Sequence, residues 1–483
     1  MSRAGVKRAL VPNEALANAL GANELARELQ ARGHEVIRTG GFGLAWLEPM
    51  LVIDGEAYGP VQDLDALDAV ALGPLAELPE LARQRRIVFD RCGHVDPMDY
   101  DPSWLLEQLE REPREIIEEI KASGLRGRGG AGFPAHIKWQ TVFDAVCETG
   151  APQKYIVVNA DEGDSGTFAD RLIMEGDPFR LIEGMMISGH ATGADKGIVY
   201  LRSEYPLAAE IFANAMEKAR ALGLLERFDI ELFIGAGAYI CGEETSMLES
   251  LEGKRGEVRF KPPVPAVAGL FGQPTLVHNV ITLCSVPGIL DMGGKAYAEI
   301  GTGASTGTST FQLAGNIKRG GLYELPFGIS LRELVEDWGG GTRTGRPFGA
   351  VQVGGPLGAY LFERHLDTPL GYEDMAALDA GIGHGGLVVF DDTIDLVEQA
   401  HYAFAFCAHE SCGKCTPCRI GSVRGKEAVA ALASDEYTED RLEVIDELCD
   451  LMEQTSLCQM GGMTPIPVRS ALGEALSRKG EVN

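Results

Sequence analysis

The chain has 483 residues, 45% of them hydrophobic and 24% charged, the composition of a globular protein with material for about three or four domains. Its formal net charge of −28 argues against nucleic-acid binding, which requires basic patches. No run reaches the roughly 18 apolar residues of a membrane span. The apolar part of Met1 to Leu10 is too short for a signal peptide, so the expectation is a cytoplasmic protein without membrane insertion.

In chain order, residues 1–75 read as a small α/β unit, with a helix from Glu14 to Arg32 and short strands from Glu35 to Arg38 and from Leu51 to Asp54. Residues 76–115 are charged and proline-containing, which suits a linker wrapping a neighbour. From 116 to 304 strand and helix patterns alternate. Tyr155 to Asn159, Gly197 to Leu201 and Asp229 to Ile234 are apolar β-type runs, and Pro178 to Thr192 and Pro206 to Leu222 have helical periodicity. Alternation of this kind predicts a parallel sheet covered on both faces, with ligands at the carboxyl ends of its strands. Residues 305–395 carry strand patterns at Phe311 to Ala314, Gly349 to Val353 and Leu387 to Phe390 among many glycines, with a short helix from Leu331 to Trp338, and predict a compact β-rich domain. Residues 396–483 read as helical.

Four segments carry possible ligand chemistry. Gly124-Leu-Arg-Gly-Arg-Gly-Gly-Ala-Gly-Phe-Pro134 lets backbone approach a phosphate, and its exposed N–H groups before a helix start favour anions. A flexible loop has the same composition, and no predicted strand precedes it, unlike the usual dinucleotide fingerprint. Asn159-Ala-Asp-Glu-Gly-Asp-Ser-Gly-Thr-Phe168 ends a predicted strand with side chains that suit a planar heterocycle or ribityl hydroxyls, or simply an acidic surface turn. Gly235-Ala-Gly-Ala-Tyr-Ile-Cys-Gly-Glu-Glu-Thr245 follows a strand and enters a helix. A carboxylate there can accept both ribose hydroxyls of NAD and repel the 2′-phosphate of NADP, although acidic residues also stabilise any helix N-terminus. Lys261-Pro-Pro-Val-Pro265 forms a stiff wall or connecting loop, and Gly-Gln-Pro-Thr-Leu-Val-His-Asn279 ends on an asparagine able to bond a flavin or phosphate.

The cysteines are more specific. Cys412, Cys415 and Cys418 lie in Glu-Ser-Cys-Gly-Lys-Cys-Thr-Pro-Cys-Arg, and Cys458 follows in Ser-Leu-Cys-Gln-Met-Gly-Gly. Three thiolates at C-x2-C-x2-C hold three corners of an iron–sulfur cube and a remote fourth closes it. Zinc sites more often show two separated C-x2-C pairs, so the spacing favours a [4Fe–4S] cluster over zinc. Cys92, Cys147, Cys241, Cys284, Cys407 and Cys449 show no ligand spacing and read as buried thiols. His278 and His409 read as hydrogen-bonding neighbours rather than ligands.

Taken together and in this order, the four segments and the cysteine motif resemble the NADH-oxidising flavoprotein subunit of respiratory complex I, a module shared with NAD-reducing hydrogenases and NAD-dependent molybdenum formate dehydrogenases. The similarity covers about residues 115–483. It implies FMN and NAD(H) in one cavity beside a [4Fe–4S] cluster held by Cys412, Cys415, Cys418 and Cys458. By motif, Gly127, Arg128, Gly129 and Lys138 would surround the FMN, and Asn159, Asp161 and Asn279 would complete its polar contacts. Phe133 would contact NADH, and Glu162, Glu243 and Glu244 would lie around its nicotinamide and ribose, with Tyr239 and Gly242 in the same motif. Arg128 and Lys138 would stabilise phosphate or flavin charge. No side-chain acid or base is expected for the hydride step, which the flavin performs. The implied fold is multidomain α/β: a Rossmann-like FMN and NAD domain with a parallel sheet (116–304), a β-grasp domain (305–395) and a C-terminal helical bundle carrying the cluster (396–483).

The N-terminal segment Gly40-Gly-Phe-Gly-Leu-Ala-Trp-Leu-Glu-Pro-Met50 resembles the thioredoxin-like [2Fe–2S] domain of the family's partner subunit, with Gly41 and Ala45 where that domain has cysteines. The expectation is a cluster-free thioredoxin-like docking domain over residues 1–75. Complex I members carry Phe at Val264, an aromatic at Thr141 and Asn at His278, and their acidic pair becomes Glu162-Gly-Asp164. These departures look more like the formate dehydrogenase and hydrogenase branches than complex I, and the cluster-free thioredoxin-like domain fused to the flavoprotein looks like the beta subunit of NAD-dependent molybdenum formate dehydrogenase. The resemblance then implies a diaphorase subunit that reduces NAD+ with electrons from formate oxidised on a separate molybdenum/iron–sulfur subunit, alongside a [2Fe–2S] thioredoxin-like subunit. The alternatives are the NADH-oxidising subunit of a complex I or NAD-reducing hydrogenase, and an electron-relay scaffold without nucleotide chemistry.

Overall fold

The computed structural model describes residues 7–145, 153–432 and 439–480. Cys147 and the start of the segment read for a leader lie outside them.

The N-terminal sheet contains strands β1 (Arg8–Pro12), β2 (Glu35–Thr39), β3 (Leu51–Ile53), β4 (Glu56–Tyr58) and β5 (Ala71–Pro74), in the order β2-β1-β3-β4-β5. β1 pairs parallel with β2 and antiparallel with β3. The sequence signalled β2 and β3 but not β1, a five-residue run with proline at its end. The single helix expected from Glu14 to Arg32 is two, Ala15–Ala19 and Ala22–Ala31, because Gly21 adopts φ 110° between them. Glu14 caps the first, its carboxylate accepting from the Leu16 and Ala17 N–H groups.

The segment that would hold cysteines in a cluster-bearing relative is packed against the rest of the chain. A Cβ on Gly40 would lie 2.4 Å from the Gly176 Cα, and one on Gly41 would lie 2.9 Å from the Glu14 side chain and 3.1 Å from Leu172. Leu322 N–H donates to the Gly43 carbonyl at 2.8 Å. The missing side chains therefore permit close approach to the helix Ala169–Gly176 and to the third sheet.

The central sheet is fully parallel: β6 (Tyr155–Ala160), β7 (Lys196–Leu201), β8 (Asp229–Ile234) and β9 (Thr275–Asn279), in the order β8-β7-β6-β9. Its strands read as near-continuous apolar runs because helices cover both faces. The helix Pro178–Thr192 is buried along almost its whole length and crosses Val280–Met292 closely; a Cβ on Gly184 would fall 2.2 Å from the Leu283 carbonyl oxygen. The register pairs Asn159 with Asn279, placing two of the predicted ligand residues side by side at the carboxyl end. β9 was not legible as a strand, since prolines and glycines surround it.

A two-residue pair, β10 (Gly301–Thr302) and β11 (Ser305–Thr306), leads into the third sheet. That sheet holds β12 (Thr308–Gly315), β13 (Gly321–Pro326), β14 (Phe348–Val353), β15 (Ala359–Leu361) and β16 (Gly386–Asp391), ordered β13-β12-β16-β14-β15. The short helix expected from Leu331 to Trp338 is a π-helical segment over Glu333–Trp338. Helices Leu396–Glu410, Thr416–Leu432, Glu439–Thr455, Gln459–Gly462 and Pro465–Lys479 form the C-terminal bundle.

Residues 76–115 lie along the central and third units. The Glu324 carboxylate accepts from the Val88 and Phe89 N–H groups, and Tyr100 stacks on Phe179 at 4.0 Å. Arg91 bridges two buried carboxylates, Asp177 at 2.7 Å and Glu183 at 3.1 Å. Removing one partner of a buried pair leaves uncompensated charge and costs about 3 kcal/mol. Arg91→Met should therefore lower the unfolding free energy obtained from urea titration at pH 8 by about 3 kcal/mol; an unchanged value would show that this strap contributes no stability.

Candidate functional site

Three chain segments meet at the carboxyl ends of β6 and β9. The glycine-rich loop lies between the helices Pro113–Ser123 and Ala135–Asp144, so no strand leads into it. Gly124, at φ 65°, closes the first helix. The loop is a small hairpin: Gly127 N–H donates to the Phe133 carbonyl at 2.8 Å and Ala135 N–H to the Leu125 carbonyl at 2.9 Å. A Cβ on Gly129 would lie 2.8 Å from the Asn279 Cβ, so glycine there lets the loop rest on the end of β9. Asn279 also caps the following helix, accepting from Ile281 and Thr282 N–H, while its amide donates to Asp170 at 2.8 Å.

Around this junction Asn159 donates to the Gly242 carbonyl at 2.7 Å and accepts from Asp161 N–H at 3.1 Å. Asp161 is the informative side chain. It is 8% exposed, and neither carboxylate oxygen has a partner. Burial pushes it up to about 7. A buried carboxylate without donors is costly, and a ligand offering hydroxyl or N–H groups would satisfy it. Nearby, Glu243 caps the helix Glu244–Leu251 through Thr245 and Ser246 N–H. Lys261 pairs with Glu243 at 2.9 Å and Glu244 at 3.3 Å, and Lys138 pairs with Glu244 at 3.0 Å. Burial works against the Glu244 charge, but Lys138 and Lys261 outweigh it and hold the carboxyl below its usual range. Glu244 is thus ionised beside the loop, and Phe133, 45% exposed, stands free on the rim.

Three predicted residues have their heads elsewhere. The Arg128 guanidinium is buried away from the junction, donating to Tyr297, Tyr372 and the Thr306 carbonyl and lying 4.7 Å over the Phe327 ring. The expectation that its charge faces a phosphate is corrected: its terminal nitrogens donate to Tyr297, Tyr372 and the Arg126 and Thr306 carbonyls while its Nε–H has no partner, leaving only the Arg128 backbone at the loop. Glu162 also turns inward, accepting from Asp170 N–H, Arg171 N–H and the Tyr205 hydroxyl. Tyr239 donates to Asp164 at 2.8 Å, and its N–H donates to Glu410 at 3.0 Å.

The cysteines converge at the start of the bundle. Cys418 is buried and Cys412, Cys415 and Cys458 are half-buried. Burial, with the neighbouring Glu243, Cys412 and Cys418, pushes the Cys458 thiol up to about 12. Glu243 therefore links the two sites. Arg255 donates to the Cys412 carbonyl at 3.4 Å and Lys414 to the Val258 carbonyl at 2.7 Å, fastening the cysteine loop to the central unit. Among the described residues Glu162, Asp170 and His384 have donor atoms all within 4.8 Å of one another. Cys92, Cys241, Cys284, Cys407 and Cys449 are buried free thiols; Cys407 lies 3.7 Å from the Cys418 sulfur. His278 is buried and accepts from the Trp139 indole at 2.9 Å, and burial pushes it down to about 3. His409 is exposed beside Glu410. Sequence reasoning missed Asp170 and His384. The first lies two residues beyond the end of the second motif; the second stands in a glycine-rich run without recognisable spacing.

Comparison with known proteins agrees with this geometry. Residues 120–288 match the Nuo51 FMN-binding domain and residues 398–474 the NADH-ubiquinone oxidoreductase-F iron-sulfur binding region. The NADP-reducing hydrogenase subunit HndC of Solidesulfovibrio fructosivorans is 44% identical over 405 residues, covering 81% of this chain and 82% of that protein. An NADH-quinone oxidoreductase subunit of Escherichia coli is 42% identical over 345 residues, 70% of this chain and 77% of that one. A crystal structure of NAD+-reducing [NiFe]-hydrogenase in the H2-reduced state superposes with a TM-score of 0.71 at 30% identity, covering 99% of this chain and 84% of the matched chain.

Asp161 generates a signed prediction. Its value in the folded, flavin-free chain, about 7, lies above that of an unfolded carboxyl. The native state thus holds an extra proton between the ordinary carboxyl range and about pH 7, and stability falls as pH rises through that window. Asp161→Asn should raise the thermal midpoint of the flavin-free chain at pH 8, and the gain should disappear near pH 4. An equal gain at both pH values would mean that Asp161 is solvated or already paired.

Proposed function

The chain belongs to the family of NADH-oxidising flavoprotein subunits that bind FMN and a [4Fe–4S] cluster, and on that footing we propose that it is the diaphorase subunit of an NAD+-reducing formate dehydrogenase. Formate would be oxidised on a separate molybdenum/iron–sulfur subunit. A thioredoxin-like [2Fe–2S] subunit would relay electrons, and the assembly would work in the cytoplasm; none of the described helices is long and apolar enough to cross a membrane.

The observation that carries the diaphorase reading is the partnerless Asp161 at the carboxyl end of β6. Gly127, Gly129, Asn159, Asp161, Gly242 and Asn279 would cradle the flavin, by backbone approach and by hydrogen bonds to its hydroxyl and ring N–H groups. Lys138 would lend positive charge at the same place. Phe133 would cover the nicotinamide nucleotide, Glu244 would accept from its ribose hydroxyls, and Glu243 would support Lys261 beneath it. Tyr239, through Asp164 and Glu410, would keep the third motif fixed against the cysteine loop. Cys412, Cys415, Cys418 and Cys458 would bind the cluster once their thiol protons are displaced. The bound flavin supplies exchange between hydride and single electrons, while the protein supplies position, charge and exclusion of water. Retention of Lys138, Glu244 and the loop argues against a relay scaffold without nucleotide chemistry.

The formate assignment draws on the N-terminal unit, where Gly41 and Ala45 replace cysteines, while Val264, Thr141 and His278 set the chain apart from complex I in favour of the formate dehydrogenase and hydrogenase branches alike. The second reading, a subunit of an NAD+-reducing hydrogenase, is favoured by the structural match that spans 99% of this chain and so includes that unit. Affinity capture of the tagged chain from its native host should recover a molybdopterin protein; recovery of a nickel subunit or membrane proteins instead would overturn the formate assignment.

Glu244 should contribute binding equally to ground and transition states. Glu244→Gln should then raise the KM for NADH about tenfold in an anaerobic NADH:ferricyanide assay and leave kcat nearly unchanged. A fall in kcat at constant KM would remove Glu244 from the ribose position.

A further inference from the structure

His384 lies in the glycine-rich turn before β16 and is 6% exposed. Its Nδ1 is 2.9 Å from the Arg128 carbonyl oxygen. Its Nε2 is 3.2 Å from Glu162 Oε1 and 3.2 Å from Asp170 Oδ1. A carbonyl oxygen can only accept, so Nδ1 must carry a hydrogen. An ionised carboxylate can only accept, so Nε2 facing two of them must carry one as well. An imidazole protonated at both nitrogens is a cation.

The surroundings require such a cation. The Glu162 and Asp170 side chains are 0% and 2% exposed, and two buried negative charges at this separation are costly without a counter-charge. Glu162 already accepts two backbone N–H groups and the Tyr205 hydroxyl, and Asp170 accepts from Asn279. These donors are neutral. Arg171 is directed to Glu14 and Glu175, and Arg202 to Glu204 and the Glu162 carbonyl. Asp164 also faces the imidazole and adds negative potential. Burial works against the charged imidazole, but Asp170 and Glu162 outweigh it and hold the group well above its ordinary range.

We propose that His384 is a permanently charged imidazolium that serves as counter-ion to Glu162 and Asp170 and as a positioning residue for the glycine-rich loop. One ring nitrogen grips the loop at Arg128, between Gly127 and Gly129. The other hydrogen-bonds Glu162 and makes an ion-pair contact with Asp170, whose other oxygen accepts from the amide of Asn279. The ring therefore sets the loop and the end of β9 relative to each other. The consequence for flavin rests on the reading that these residues cradle FMN; the charge assignment does not.

The test has two readouts on the full chain. In 15N-histidine NMR of the flavin-loaded protein at pH 8, ordinary histidines, with pKa about 6.5, are neutral. Of the nine histidines, His384 should show both nitrogens protonated, and that signal should vanish in His384→Gln. The same variant should bind FMN about tenfold more weakly and shift the bound flavin's midpoint potential negative, because a nearby positive charge is lost. Adding Asp170→Asn, which removes one unpaired carboxylate, should recover part of both changes. A neutral His384 tautomer, or a stoichiometric metal other than iron bound at the imidazole, would overturn the counter-ion assignment. An imidazolium whose loss leaves FMN affinity and potential unchanged would overturn the positioning role. An imidazolium in a chain that binds no FMN would uphold the counter-ion and refute the flavin reading instead.

Discussion

Negative charge buried at the carboxyl end of the central sheet is the constraint around which this molecule is arranged. Asp161, Glu162 and Asp170 are all withdrawn from water there, and the chain as a whole carries a large acidic excess. Burial of this kind is tolerated only with compensation. Glu162 and Asp170 receive backbone N–H groups, an amide, a hydroxyl and the His384 ring. Asp161 has no hydrogen-bond partner on either oxygen, whereas Asp170 Oδ1 has its ion-pair contact with His384. The difference separates carboxylates paired within the protein from the one that is not.

That division explains why three units must meet. The glycine-rich loop comes from the segment before the central sheet, Asn159 and Asn279 come from the sheet, and His384 comes from the third unit. Each would be unremarkable alone. Position 129 needs glycine because Asn279 lies against it, and Arg128 is anchored because Tyr297, Tyr372 and Thr306 receive its head. The C-terminal cysteine loop joins through Arg255, Lys414 and the Glu410–Tyr239 contact. A single carboxylate, Glu243, caps the helix of the third motif, pairs with Lys261 and bears on Cys458. The nucleotide side and the cluster side thus share one rigid helix start.

The sequence revealed what periodicity and spacing encode. The strands from Tyr155, Gly197 and Asp229 and the helix Pro178–Thr192 follow directly from apolar patterning, and the cysteine spacing signals its own chemistry. Patterning could not reveal β1 or β9, because a five-residue strand flanked by proline or glycine carries too few alternations to register. The break at Gly21 was hidden by apolar residues on both sides that keep helical spacing. Side-chain direction was the larger loss. Arg128 and Glu162 lie in the expected motifs, but which way a guanidinium or carboxylate turns depends on donors and acceptors distant in sequence, such as Thr306 and Tyr205. His384 was invisible for the same reason: its partners come from positions 128, 162 and 170, and no local pattern records that meeting.

The central claim is that one chain holds a flavin at Asp161 and a cubane at the four cysteines, close enough to exchange electrons. Counting FMN and iron together in anaerobically prepared protein tests it most directly. The account predicts about one FMN and about four irons per chain, with Asp161→Asn lowering the flavin while sparing the iron, and Cys458→Ala lowering the iron while sparing the flavin. Protein that is colourless, with neither FMN nor iron, would contradict it.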